Sequence, residues 1–132
     1  MRIARPLLDD IVAHARDDVP NECCGMVAGL DGAATRVYRA RNAEESPFRY
    51  IIHPQDQFRI TMEIEDRGEE ITAIYHSHTK SPAEPSQTDI NLAENWPDPL
   101  YLICSLADPD RPDVRAWSIR DGSVEEVGLD VD

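Results

Sequence analysis

Two of the chain's four histidines fall in one tripeptide, His76-Ser77-His78, and a hydroxyl and a carboxylate follow in Ser86-Gln87-Thr88-Asp89. Imidazole nitrogens and carboxylate oxygens are donors that bind zinc. On an extended strand, residues i and i+2 face the same way, roughly 6.5 Å apart along the chain. That spacing lets both imidazoles reach one ion at about 2.0–2.1 Å each. Ser86 is a good helix N-cap, and Asp89 would share the first turn with it. From there the Asp89 carboxylate can turn toward the two rings as a third ligand. Three protein ligands plus one water form the open arrangement of a catalytic zinc, whereas a structural zinc is closed by four protein ligands.

A metal-bound water needs a base to take its proton. Glu22 is the candidate, in Pro20-Asn21-Glu22-Cys23-Cys24-Gly25-Met26-Val27-Ala28-Gly29. It stands at the entrance of an apolar run that reads as a buried strand, where Gly25 and Gly29 permit close backbone approach. Taken alone, Glu22 reads as a loop acid in an acid-rich chain. The histidines are carried by Ile71-Thr72-Ala73-Ile74-Tyr75, whose β-branched and apolar residues also read as a buried strand. Ser77 would point to that strand's other face. The strand must end near His78, because Ser81-Pro82-Ala83-Glu84-Pro85 cannot sit inside a sheet ladder.

The remaining histidines and the cysteines have other readings. His14 lies in a segment of helical periodicity and is expected to be a surface or half-buried helix residue. His53 precedes Pro54 and marks a helix entry, so neither is assigned to the metal. Cys23, Cys24 and Cys104 lack the paired spacing of a structural zinc site. Cys23 and Cys24 are expected to be reduced and partly buried, and Cys104 reads as core. A cysteine nucleophile is the alternative chemistry.

Taken together, Glu22 with Cys24-Gly25, then His76-Ser77-His78, then Ser86-x-x-Asp89, resembles the JAMM (MPN-plus) zinc metalloprotease family over the whole chain. Ile74-Tyr75-His76-Ser77-His78-Thr79 with Pro85-Ser86-x-Thr88-Asp89 is most similar to its small prokaryotic branch. Those peptidases release cysteine from a ubiquitin-like sulfur-carrier protein or cleave ubiquitin-like modifiers from their targets. The resemblance implies that His76, His78 and Asp89 bind one zinc ion, with water as fourth ligand. It implies that Glu22 is the general base and acid and that Ser86 stabilises the oxyanion. It also implies a cytidine-deaminase-like architecture and a partner ending in Gly-Gly. Thr79 stands where the eukaryotic deubiquitinating members usually have proline, and their long insertions are absent. A non-catalytic binding module of the same fold is the alternative from another functional class.

The 132 residues carry a net charge of −13, with twelve arginines and a single lysine, Lys80. Such acidity argues against a nucleic-acid partner. It is consistent with a high-salt cytoplasm, where screening relieves self-repulsion. Lys80 reads as a solvated loop residue that could also contact substrate. No run approaches a membrane span and no signal-peptide core is visible, so a cytoplasmic protein is expected.

The layout predicts a single α/β layered domain over 1–132, with a mixed, curved β-sheet and about three helices. A helix is expected over 5–17, with strands over 24–30, 35–40 and 48–52. A helix over 54–66 should carry Phe58, Met62 and Ile64 inward and end before Gly68. The histidine strand and the Ser86 helix follow, and Trp96-Pro97 breaks that helix. Strands over 100–106 and 114–120 and a last short strand after Asp121-Gly122 complete the sheet.

Overall fold

The computed structural model describes residues 1–132. Its elements run β1 (Arg2–Ile3), α1 (Arg5–Asp18), β2 (Cys24–Leu30), β3 (Ala33–Ala40), α2 (Pro54–Asp66), β4 (Glu70–His78) and α3 (Gln87–Ala93). They continue as β5 (Leu100–Ser105), β6 (Asp113–Arg120), β7 (Ser123–Val127) and β8 (Asp130–Val131). The eight strands form one sheet in the order β7-β6-β5-β4-β2-β3-β1-β8. It is mixed: β4 runs parallel to β5 but antiparallel to β2. The pairing of β2 shifts register on both sides, between Ala28 and Gly29 toward β3 and between Val27 and Ala28 toward β4. Such irregularities bend and twist a strand, and here they help curl the sheet.

The three helices divide between two faces. Ile11 and Ala15 of α1 pack with Val27, Tyr75 and Leu102 on one face. Ile60 and Ile64 of α2 pack with Met26, Ile74 and Tyr101 on the other. Alternate residues of β2 and β4 thus feed opposite cores, as strand geometry requires. Gly25 lies between them, where a Cβ would stand 2.3 Å from both the Tyr38 carbonyl oxygen and Tyr75 Cε1. Only a residue without a side chain lets the Tyr75 ring lie across β2.

Three expectations need correction. Residues 48–52 form no strand; the segment contributes a single bridge, Asn42 to Ile52. The Asn42 amide oxygen accepts the Ile51 N–H at 3.1 Å, doing for that donor what a neighbouring strand would have done. On α2, Phe58 and Met62 face solvent at 70% and 43% exposure, and Asp56, Ile60 and Ile64 turn inward. The two isoleucines gain about 1.5–3 kcal/mol each from full burial, while Asp56 accepts the Arg41 N–H at 2.8 Å. This orients the helix and leaves Phe58 and Met62 on its far side. His14 is buried rather than superficial: its Nδ1 meets the Tyr75 hydroxyl at 2.6 Å and its Nε2 lies 3.3 Å from Asp18.

The strands β1 and β8 were not legible in the sequence; each has two residues, and they pair in parallel. His53 caps α2, its Nδ1 accepting the Gln55 N–H at 3.2 Å. No helix is long and apolar enough to cross a membrane.

Candidate metal centre and catalytic cavity

The strand β4 is buried from Ala73 onward and delivers both histidines to its C-terminal end. There, α3 begins. Ser86 Oγ accepts the Asp89 N–H at 3.1 Å and Asp89 Oδ2 accepts the Ser86 N–H at 3.0 Å, a reciprocal capping box. The cap fixes the first turn and with it the direction of the Asp89 carboxylate.

His76 Nε2, His78 Nε2 and Asp89 Oδ2 converge. The two nitrogens are 3.2 Å apart, and Asp89 Oδ2 lies 3.1 Å from His76 and 3.0 Å from His78. An ion with tetrahedral bonds of about 2.0–2.1 Å holds its ligand atoms about 3.3 Å apart, so this triangle has the right size for one. The donor chemistry fits as well. His78 Nδ1 lies 2.7 Å from the Pro82 carbonyl oxygen, to which it must donate. The neutral ring therefore turns the lone pair of Nε2 toward His76 and Asp89. Three donor atoms facing one another at this range could hold a cation among them. No other cluster of His, Cys, Asp and Glu side chains in the structure meets the same criterion.

Without an ion, the electrostatics favour the neutral ring at His76 but the protonated ring at His78. Burial lowers the pKa of His76 and so favours the neutral ring a metal needs. Burial also acts to lower that of His78, but hydrogen bonds to Asp89 and Pro82 outweigh it and the net shift is upward. Burial works against ionisation of Asp89; the two imidazoles and the Ser86 amide overcome it and hold the carboxyl well below its usual range. His76 also stacks on Tyr50, with ring centroids 4.3 Å apart and planes at 21°. The sequence reading did not single out Tyr50, because Tyr50-Ile51-Ile52 is uniformly apolar and carries no alternation that would mark one ring.

Glu22, His78 and Ser86 line a common cavity of about 570 Å³. Glu22 is only 4% exposed, and its Oε1 has no hydrogen-bond partner. Burial pushes its carboxyl up to about 8; the charge of His78 opposes the shift and that of Asp89 adds to it. A carboxyl poised in this range can both accept and donate a proton near neutrality. Its backbone is pinned on both sides, because Glu22 N–H donates to the Ser46 carbonyl at 2.9 Å and Asn42 Nδ2 donates to the Glu22 carbonyl at 3.1 Å.

The cysteines take no part in the cavity. All three are unpaired and fully buried, so Cys23 and Cys24 are more enclosed than expected. Burial pushes the Cys23 thiol up to about 12, that of Cys104 up to about 11, and that of Cys24 in the same direction. A nucleophilic cysteine needs the opposite shift.

Residues 4–120 match the family model described as prokaryotic homologs of the JAB domain. The chain belongs to this family. The JAB-domain chain is 40% identical over 131 residues to the CysO-cysteine peptidase of Mycobacterium tuberculosis, covering 98% of this chain and 89% of that protein. It is 36% identical over 112 residues to the desampylase of Haloferax volcanii, with 80% of each covered. Among solved structures, a Desulfitobacterium hafniense protein superposes with a TM-score of 0.90 at 32% identity, covering 100% of this JAB-domain chain and 93% of the other. A protein described as "JAMM: A Metalloprotease-like Zinc Site in the Proteasome and Signalosome" shares the fold. Its TM-score is 0.65 at 21% identity, over 100% of this chain and 97% of that one.

Proposed function

We propose that this protein is a zinc-dependent peptidase or isopeptidase. It would hydrolyse the amide bond after the C-terminal glycines of a ubiquitin-like or sulfur-carrier protein. The observation that carries the hydrolytic part is the triangle of His76 Nε2, His78 Nε2 and Asp89 Oδ2, 3.0–3.2 Å on a side, bordering a cavity that also holds Glu22 and Ser86. The substrate class is supported by the relatives named for CysO-cysteine and for desampylation.

His76, His78 and Asp89 would hold the ion. Zinc bound there supplies Lewis acidity, polarising a carbonyl and lowering the pKa of a coordinated water to about 7. The protein's own groups do the rest. Glu22 takes a proton from the attacking water on its unpartnered Oε1 and returns it to the leaving amine. Ser86 Oγ already accepts the Asp89 N–H, which leaves its hydroxyl proton free to donate to the carbonyl oxygen as negative charge develops. Pro82 holds His78 in a single tautomer, and Tyr50 restrains the plane of the His76 ring.

An extended tail would reach the cavity along the chain surface, where the folded body of the carrier adds affinity that its tail lacks. Partners without nucleic acid or membrane, and a cytoplasmic location, complete this reading.

The test is hydrolysis of a carrier–cysteine adduct by protein purified without chelator, followed by mass spectrometry. Cleavage after the terminal glycine should stop on chelation and return with added zinc. Activity that persists without metal and disappears on thiol alkylation would overturn the reading.

A further inference from the structure

The cavity before Glu22 and Ser86 has two unlike walls. Val19, Pro20, Pro47 and Phe48 line one; Thr79, Lys80 and Ser81 line the other. Phe48 is 82% exposed and Val19 50%, so the apolar wall opens at the mouth. The polar wall holds the chain's single lysine, the only Lys or Arg among the lining residues. It is exposed, and no carboxylate lies within 4.0 Å of it. By contrast, Arg39, Arg41, Arg49, Arg67 and Arg115 are each engaged by an acid at 2.7–3.0 Å.

Arg2, Arg5, Arg16, Arg111 and Arg120 also have no acid within 4.0 Å, but only Lys80, two residues beyond His78, lines this cavity. An anion entering this cavity passes Glu22, and Lys80 is the one side-chain ammonium on the lining that can pair with it. Given the peptidase reading above, we propose that Lys80 binds the free α-carboxylate of the residue being released. The protein would then remove a single C-terminal amino acid from its carrier. Water adds across the amide between the carrier's last glycine and that residue, giving a carrier carboxylate and a free amino acid. In such a substrate the α-carboxylate sits one carbon from the leaving nitrogen, close enough for a cation at the cavity wall. The apolar wall takes the residue's side chain. A lysine side chain of a conjugated protein presents no carboxylate at that distance, so Lys80 favours amino-acid release over deconjugation.

The test uses CysO carrying a C-terminal cysteine, as the free acid and as the carboxamide. With zinc-loaded protein the acid should show about a tenfold lower KM than the amide. Lys80→Met should raise the acid's KM to the level of the amide's, and Lys80→Arg should restore the preference. The same adducts titrated into metal-free protein by calorimetry should show the same ordering of Kd. Equal values for acid and amide, or an equal loss of both in Lys80→Met, overturn the role of Lys80. If neither adduct is cleaved, the hydrolase reading fails. The calorimetric comparison then still decides Lys80, and equal Kd values count against it.

Discussion

Asn42 Nδ2 donates to the carbonyl oxygen of Glu22 at 3.1 Å, so a residue twenty positions downstream holds the backbone of the candidate base. The same side chain also donates to the Arg49 carbonyl and accepts the N–H groups of Glu44 and Ile51. Asn42→Ala removes all four bonds from a buried site. It should destabilise the protein by about 2–3 kcal/mol. It should lower kcat about tenfold, since small misplacement of a reacting group is costly. Bound zinc, measured by elemental analysis, should match the wild type, which separates a misplaced base from a lost metal.

Glu22 and the three converging ligands should part company on mutation. Glu22→Gln keeps the triangle and should retain zinc while losing about 10²–10⁴ in kcat. His76→Ala and Asp89→Ala should lose zinc and turnover together. Zinc at about a hundredfold over its Kd should stabilise the wild type by about 2.7 kcal/mol, visible as a rise in Tm that His76→Ala lacks. Equal metal loss in Glu22→Gln would place that carboxylate among the ligands.

Ser86 caps α3, and in the proposed reading it also has a chemical task of a different size. Ser86→Ala removes the cap and should cost about 1 kcal/mol of stability. Losing an oxyanion donor costs about 10²–10³ in kcat. Ser86→Asp preserves a capping oxygen without a proton to donate. It should therefore recover stability in a melting experiment while turnover stays low.

Asp56 offers a pH test on a residue outside the candidate metal triangle. The Arg41 side chain grips it through two bonds of 3.0 and 3.1 Å, and the Arg41 amide adds a third at 2.8 Å. These contacts, the Arg41 side chain first, hold its carboxyl down at about 2, below the ordinary 3.8. A depressed folded-state pKa adds stability above the unfolded value, lost as pH falls through the folded one. The wild type should therefore melt above Asp56→Asn near neutrality. The gap should narrow below about pH 3.8 and close by about pH 2. A gap independent of pH would mean that the ion pair contributes nothing.

The sequence exposed the site better than its surroundings. His76 and His78 alternate on an apolar strand, and Ser86 to Asp89 is a capping pattern, so local rules were enough to place both elements. The match of α2 to 54–66 followed likewise from His53-Pro54 and Gly68. What failed was orientation and everything non-local. The inward face of α2 depends on Asp56 reaching Arg41 across a loop. Burial of His14 depends on Tyr75, a contact spanning 61 residues. The 42–52 loop is held by one amide side chain, which no period-two pattern reveals. Pairing of β1 with β8 joins segments too short to carry a signal of their own.

The loop that joins β4 to α3 is held by three consecutive carbonyls. Ser81 accepts from Ser105 Oγ at 2.6 Å, Pro82 from His78 Nδ1 at 2.7 Å, and Ala83 from Trp117 Nε1 at 2.9 Å. Each donor comes from a different strand. Any tug on His78 is thus relayed through a single peptide unit to an indole proton, in a chain with just one other tryptophan. Occupancy of the triangle becomes something to watch spectroscopically, by Trp117 emission or its indole resonance, with no substrate in the tube.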